Sequence, residues 1–184
     1  SLIPGSRRQE IEKKLPVMLR AVSSYSKEFN IVVAGMKNFK NLYGEITSNS
    51  NAKVIYEDTY NLLNNSNRAL VTSGTATLET AFFNVPQVVC YKSSWLSYVI
   101  AKSLVKIKYI SLVNLIMDKE VVKELIQNDL NVSNLTKELN KFNDALALNK
   151  MQEAYKALLD HCQGENVSKN IASDMFKTIE SFQN

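Results

Sequence analysis

The stretch Ala69-Leu70-Val71-Thr72-Ser73-Gly74-Thr75-Ala76-Thr77-Leu78-Glu79 (residues 69–79) decides the fold. Its first four residues form a short apolar run typical of a buried parallel strand, and the segment Ala76 to Phe83 predicts a helix. The small residues between them form a strand-to-helix turn. Such a turn leaves free backbone N–H groups at the helix N-terminus, and these groups attract phosphate.

A second turn of this kind, Pro4-Gly5-Ser6-Arg7, follows the apolar pair Leu2-Ile3 at the start of the chain. Two such turns in one βα domain indicate a diphosphate-bearing ligand at the carboxyl edge of a parallel sheet. Arg7 adds a positive charge that can bind two phosphate oxygens, and Glu79 adds a carboxylate suited to sugar hydroxyls. Neither G-x-x-x-x-G-K-[ST] nor G-x-G-x-x-G is present, so the usual P-loop and dinucleotide fingerprints are excluded.

Strand-type runs alternate with helical patterns through the first half of the chain. Further strands are predicted at Ile31 to Gly35, Lys53 to Tyr56 and Gln87 to Tyr91. Further helices are predicted at Leu15 to Ser26, Asn38 to Ser48 and Thr59 to Asn65. A charged turn over Arg8 to Lys14 is expected before the first helix, with Pro16 near its first position. This alternation predicts an α/β fold, a Rossmann-like parallel sheet with helices on both faces.

The second half of the sequence predicts mostly helix. Lys108 to Leu112 is the one exception, a short last strand. The predicted helices are Trp95 to Val105, Glu120 to Gln127, Ser133 to Leu146, Met151 to Cys162 and Ser168 to Phe182. Ser133 begins a capping-box pattern. Trp95 to Val105 is amphipathic, aromatic and basic; core packing is its default interpretation and a membrane-surface role is the alternative. Residues 133–184 therefore form a helical tail.

Composition sets limits on function. The 184 residues suit one domain, with 45% hydrophobic and 22% charged residues as in ordinary globular proteins. The net charge of +4 comes without a basic stripe or stacking motif, which argues against a nucleic-acid partner. A single histidine argues against a multi-His metal site and a Ser-His-Asp triad. No apolar run is long enough to span a membrane. Cys90 and Cys162 predict free thiols in a reducing cytoplasm, with Cys90 buried.

Each candidate residue also has a structural explanation. The hydroxyls of the 73–77 turn can cap a helix, and Glu79 can interact with the helix dipole. Asn114 can serve as a cap. Glu120, Glu124 and Gln127 lie at helical spacing and can form a solvated helix face.

Five segments of the sequence together form a recognisable set: residues 2–11 (LIPGSRRQEI), 73–79 (SGTATLE), 85–91 (VPQVVCY), 109–116 (YISLVNLI) and 120–127 (EVVKELIQ). In combination they resemble the lipid-A-disaccharide synthase family, whose members are GT-B glycosyltransferases. Order and spacing match over roughly residues 2 to 130, whereas the helical tail matches only in character. Val113 stands where proline is common in the family, and Lys123 where proline or lysine occurs; neither change removes a polar functional group.

The resemblance implies transfer of 2,3-diacylglucosamine from UDP-2,3-diacylglucosamine to 2,3-diacylglucosamine 1-phosphate by an inverting displacement. It implies no metal and no other cofactor, with Arg7 as the catalytic residue. It also implies action at the cytoplasmic face of the inner membrane, as a peripheral membrane protein, and leaves a homodimer open. The donor-binding residues that it implies are Gly5, Ser6, Arg7, Ser73, Gly74, Thr75, Ala76, Thr77, Glu79, Asn114, Glu120 and Gln127.

Residues 1–184 are expected to be the C-terminal, nucleotide-sugar-binding domain of a two-domain enzyme, because Leu2-Ile3 corresponds to the end of a strand. The acceptor domain and the catalytic base would then lie outside the chain, and the chain alone would be inactive. Two alternatives stay open. One is the donor domain of another GT-B enzyme that uses UDP-N-acetylglucosamine, either a lipid II-type transferase or an epimerase. The other is a UDP-binding module without catalysis.

Overall fold

A computed structural model describes residues 1–93 and 108–162. Its sheet has six parallel strands in the order β3-β2-β1-β4-β5-β6. The strands are β1 (Leu2–Ile3), β2 (Val32–Gly35), β3 (Lys53–Tyr56), β4 (Ala69–Thr72), β5 (Gln87–Tyr91) and β6 (Lys123–Ile126). The α-helices of the described part are α1 (Arg8–Val22), α2 (Lys40–Thr47), α3 (Thr59–Asn64), α4 (Thr75–Phe82), α5 (Leu112–Met117), α6 (Val132–Lys141) and α7 (Ala145–Cys162). The predicted Rossmann-like fold is confirmed.

Alternate residues of the strands pack on opposite faces of the sheet. Leu70 and Val88 belong to the core beneath α1, α2 and α6, whereas Val71 and Val89 face α3, α4, α5 and α7. This two-sided burial explains the continuous apolar runs in the sequence. The order of the strands reverses between β1 and β4, where Leu2 pairs with Leu70 and Ile3 with Val71. That point is where open α/β sheets bind their ligands.

The first helix corrects one prediction. No separate charged turn precedes it, because α1 begins at Arg8 and continues through Pro16. Proline removes one backbone hydrogen bond from a helix interior. The helix continues because Ile11, Leu15 and Met18 are fully buried against the sheet on either side of the proline.

Three further predictions in the second half of the chain are wrong. Lys108 to Leu112 forms no strand; Ser111 instead accepts the Asn114 N–H and caps α5. Glu120 to Gln127 forms no helix, because Val122 and Leu125 are buried and residues 123–126 pair with β5. Backbone pairing at the sheet edge overrides the helical spacing there. The cap of α6 is Asn131, whose side chain accepts the Asn134 N–H, so Ser133 opens no capping box.

The described part of the tail is helical, but its break lies at residues 142–144, between α6 and α7, and not between Leu146 and Met151 as predicted. The predicted helices Trp95 to Val105 and Ser168 to Phe182 lie outside the described residues. Among the described helices, none has the length and apolar character needed to cross a membrane. Cys90 is a fully buried free thiol, as predicted, and burial raises its pKa to about 12.

Candidate functional site

A cleft of about 430 Å³ lies at the carboxyl ends of β1 and β4. The structure brings the two predicted turns together there, because they follow neighbouring strands at the point where the strand order reverses. The predicted site residues that line the cleft are Gly5, Ser6, Arg7, Ser73, Gly74, Thr75, Ala76 and Glu79.

The first turn depends on Gly5 and Glu10. Gly5 has φ +114°, a conformation that favours glycine, and a Cβ there would collide with the Glu10 carboxylate. That carboxylate accepts a hydrogen bond from the backbone N–H of Arg7 at 3.4 Å, at the N-terminus of α1. Glu10 therefore occupies part of the anion-binding position that the sequence predicted to be open.

The second turn is more open. Gly74 has φ +138° and begins α4, and a Cβ placed on it would have no heavy atom within 4 Å. The Thr77 N–H donates to the Gly74 carbonyl at 3.1 Å. The N–H groups of Thr75 and Ala76 lie in the first helical turn of α4, where backbone N–H groups have no acceptor within the helix. This backbone has room for a phosphate.

The hydroxyls of the second turn differ in availability. Ser73 donates its hydroxyl to the Ile110 carbonyl at 2.6 Å, and Thr77 donates its own to the Gly74 carbonyl at 2.8 Å. Thr77 is fully buried and does not line the cleft. Thr75 is exposed, so it presents the hydroxyl most accessible to a ligand.

Arg7 and Glu79 supply opposite charges at the cleft. Within residues 1–93 and 108–162, no hydrogen bond or ion pair occupies either the Arg7 guanidinium or the Glu79 carboxylate. Glu79 is partly exposed and Arg7 is exposed. Both side chains can therefore contact a ligand without breaking an interaction within the described part of the protein.

Lys14 is a residue that the sequence prediction missed. Its ammonium is buried, hydrogen-bonds to the Thr72 hydroxyl and lies 3.9 Å from a Glu10 carboxylate oxygen. Burial lowers the pKa of Lys14, while the negative charge of Glu10 opposes that shift. Thr72 and Glu10 both line the cleft. Lys14 lies three residues after Ile11 and four before Met18, a helical spacing that places it on the buried face of α1. The sequence-based prediction missed this spacing because it gives a turn, and not a helix, for Arg8 to Lys14.

Asn114 lies outside the cleft in a buried network. Its side-chain oxygen accepts the N–H groups of Val121 and Val122 at 2.8 and 2.9 Å, and its amide donates to the Val122 carbonyl and to Glu124 at 2.8 and 2.9 Å. All four hydrogen-bonding positions of the amide are used. The geometry supports a positioning role for Asn114, and donor binding by this residue stays a prediction.

Glu124 connects this network to the second turn. Its carboxylate accepts hydrogen bonds from the backbone N–H groups of Ile110 and Ser111, both at 2.9 Å, and from the Ser111 hydroxyl at 2.7 Å. The Ile110 carbonyl in turn accepts the Ser73 hydroxyl. The segment from Ile110 to Ser111 thus joins β6 to the turn at Ser73.

Two other predicted residues also lie outside the cleft. Glu120 precedes β6, at the opposite edge of the sheet, and its carboxylate pairs with Lys123 at 2.8 Å. Gln127 follows β6 on the same edge as the cleft, and its side chain accepts the Ser93 N–H at 3.3 Å and donates to the Ser93 hydroxyl at 3.2 Å. Ligand contact by Glu120 and Gln127 stays a prediction.

Comparison with known proteins places this chain in a family. Residues 1–179 match the family model described as lipid-A-disaccharide synthetase. The chain belongs to the lipid-A-disaccharide synthase family. It is 36% identical to the lipid-A-disaccharide synthase of Psychromonas ingrahamii over 143 residues, covering 73% of this chain and 38% of that protein. It is 31% identical to that of a Sulfurihydrogenibium species over 194 residues, covering 97% of this chain and 50% of that protein.

The chain therefore spans about half or less of the length of these synthase relatives. A similar solved structure is described as a UDP-N-acetylglucosamine 2-epimerase from Listeria monocytogenes. The similarity has a TM-score of 0.54 at 16% identity and covers 86% of this chain and 42% of that one. This likeness confirms the fold.

Proposed function

We propose that this chain is the donor-binding domain of a lipid-A-disaccharide synthase. The full enzyme would transfer 2,3-diacylglucosamine from its UDP derivative to 2,3-diacylglucosamine 1-phosphate. The observation that carries the proposal is the meeting of two small-residue turns in one cleft at the β1–β4 switch point, with Arg7 and Glu79 unpaired within the described part. Family membership supports the same reaction class.

The cleft fits the two ends of a UDP group. The first N–H groups of α4 and the Arg7 guanidinium suit the diphosphate, because both present hydrogen-bond donors with positive charge. The Glu79 carboxylate, one turn inside α4, suits the ribose hydroxyls. In an inverting displacement the diphosphate leaves with developing negative charge, which these donors would stabilise. Arg7 is the residue to which we assign that catalytic role.

The acceptor side of the reaction is assigned to the part of the enzyme beyond this chain, which spans about half or less of its synthase relatives. Displacement requires a base for the acceptor hydroxyl held in line with the donor sugar. We infer that the base and the acceptor site lie in a second domain and that the chain alone gives no turnover. Because both substrates carry acyl chains, we place the full enzyme at the cytoplasmic face of the inner membrane.

Glu79→Ala tests the assignment of the ribose. We expect the substitution to weaken UDP binding by about 1.5–3 kcal/mol, the usual value of a hydrogen bond to a charged group. Titration calorimetry of the 184-residue chain measures this difference. Glu45→Ala, on α2 and outside the cleft lining, is the matched control and should bind UDP as the parent does.

A 2′,3′-dideoxy analogue of UDP separates the ribose contact from a structural role. The analogue lacks the two hydroxyls, so the parent and Glu79→Ala should bind it with equal affinity. If Glu79→Ala weakens the analogue as much as it weakens UDP, Glu79 supports the fold of α4 and does not bind ribose.

A further inference from the structure

The charges that line the cleft do not favour an anion. Among the residues that the structure describes, the charged side chains of the lining are one positive group, Arg7, and two negative groups, Glu10 and Glu79. Glu10 is the most unfavourable for a diphosphate, because its carboxylate already lies at the N-terminus of α1. The two carboxylates oppose the attraction that Arg7 and the N-terminus of α4 exert on a diphosphate, so a further positive charge near the cleft would strengthen its binding.

Lys14 supplies that charge from beneath the cleft. Its side chain is 2% exposed and does not line the cleft, but both of its polar neighbours do: Thr72 by a hydrogen bond and Glu10 by an ion pair at 3.9 Å. A buried ammonium is costly for the fold, so packing alone does not explain a lysine at this position. An apolar residue there would suit the helix face shared with Ile11 and Met18.

We propose that Lys14 is a positioning residue for the donor diphosphate: its ammonium offsets the negative charge of Glu10, so that the cleft accepts the ligand. The proposal rests on the proposed function, because the diphosphate is the ligand assigned to the cleft. Arg7 and the N–H groups of α4 make the direct contacts. Lys14 acts through its ion pair with Glu10 and through the positive electrostatic potential that its ammonium adds to the cleft beneath Thr72.

The buried position of Lys14 also makes diphosphate binding depend on the protonation of its ammonium. The groups that face the ammonium are Glu10 from α1, the Thr72 hydroxyl from β4 and the Cys90 thiol from β5. Burial lowers the pKa of Lys14 below its ordinary value of 10.5, and an incoming diphosphate favours the charged form. Binding should therefore weaken as the pH rises toward 10.5. Cys90 stays neutral over that range because burial raises its pKa to about 12.

Calorimetric titration of the 184-residue chain with UDP and with inorganic diphosphate tests the proposal. Lys14→Met should weaken binding of both ligands by about ten- to thirtyfold, the scale of one charge interaction near a protein surface. Lys13→Met is the matched control. It removes the same charge at the neighbouring position in the sequence, and the Lys13 side chain lies outside the cleft lining. This substitution should change the affinity for either ligand by less than about twofold.

Three further readouts separate this role from a merely structural one. Glu10→Gln alone should bind inorganic diphosphate more tightly than the parent. The double variant Glu10→Gln/Lys14→Met should bind more tightly than Lys14→Met alone, because the charge that Lys14 offsets is gone. The difference in affinity between the parent and Lys14→Met should shrink as the pH rises toward 10.5, and this comparison cancels the titration of the ligand itself.

The outcomes distinguish the role of Lys14 from the assignment of the cleft to UDP. One outcome is that inorganic diphosphate binds with these differences among the variants and that UDP binds no more tightly than inorganic diphosphate. In that case Lys14 has the proposed role and the assignment of a nucleotide to the cleft is wrong. If UDP binds equally to the parent, Lys14→Met and Lys13→Met, the role of Lys14 is wrong and the donor site stands. Absence of binding of either ligand to the parent overturns both. If Lys14→Met does not fold, Glu10→Gln still tests the proposal. The proposal is contradicted when Glu10→Gln binds inorganic diphosphate as tightly as the parent or more weakly.

Discussion

Arg7→Ala should lower the turnover of the complete enzyme by about a hundredfold or more, the scale seen when one preorganised charge donor is lost from a reaction centre. The guanidinium lines the cleft with no partner among the described residues, so its charge is available to the leaving diphosphate. Arg7→Lys should restore only part of the rate, because an ammonium cannot bind two oxygens side by side. A steady-state assay of disaccharide formation measures both variants.

Arg8→Ala is the matched control for Arg7→Ala. Arg8 is the next residue in the chain, but its guanidinium is exposed and pairs with Glu12 at 2.8 Å. Its removal should leave turnover within about twofold of the parent, as expected for an exposed ion pair. Near-normal turnover in a well-folded Arg7→Ala enzyme would remove Arg7 from the catalytic site.

Asn114→Ala should lower the free energy of unfolding of the chain by about 3 kcal/mol or more. The substitution leaves the N–H groups of Val121 and Val122 without their acceptor, and each unsatisfied buried group costs about 1–3 kcal/mol. It also removes a donor from Glu124. Chemical denaturation of the 184-residue chain measures the loss.

Asn128→Ala provides the comparison, since that side chain is exposed and its substitution should change stability by less than about 0.5 kcal/mol. UDP affinity then separates the two roles considered for Asn114. A variant that keeps parental stability but loses UDP binding would show that Asn114 contacts the donor and that its four hydrogen bonds do not support the fold.

The fold could be predicted from local sequence where burial on both faces of the sheet makes the strand runs continuous. Ala69 to Thr72 is the clearest case, because all four residues are buried and the turn after them begins a helix. The same reasoning failed at Glu120 to Gln127, because Glu120, Glu124 and Gln127 fall at helical spacing although only Glu124 lies within β6. Pairing with β5 decides the structure there, and local sequence does not show that pairing.

The candidate site could be predicted only in part for a related reason. The residue types of a turn such as Gly5 to Arg7 are enough to predict a phosphate site from the local sequence. The roles of Glu10 and Lys14 depend on contacts across α1, β4 and β5, so they become visible only when those elements pack together. Asn114 looks like a simple cap in sequence, whereas the four hydrogen bonds of its side chain show that it holds the start of β6 in place.

The most direct test of the donor-site assignment is an NMR titration of the isotope-labelled 184-residue chain with UDP. We expect the largest amide shifts on residues 73–79 and on Gly5 to Arg7, the two turns that meet at the cleft. Amides at the opposite edge of the sheet, such as that of Asn51 just before β3, should stay unmoved. If saturating UDP leaves both turns unmoved, or shifts only amides remote from them, the cleft is not a UDP site and the central claim is wrong.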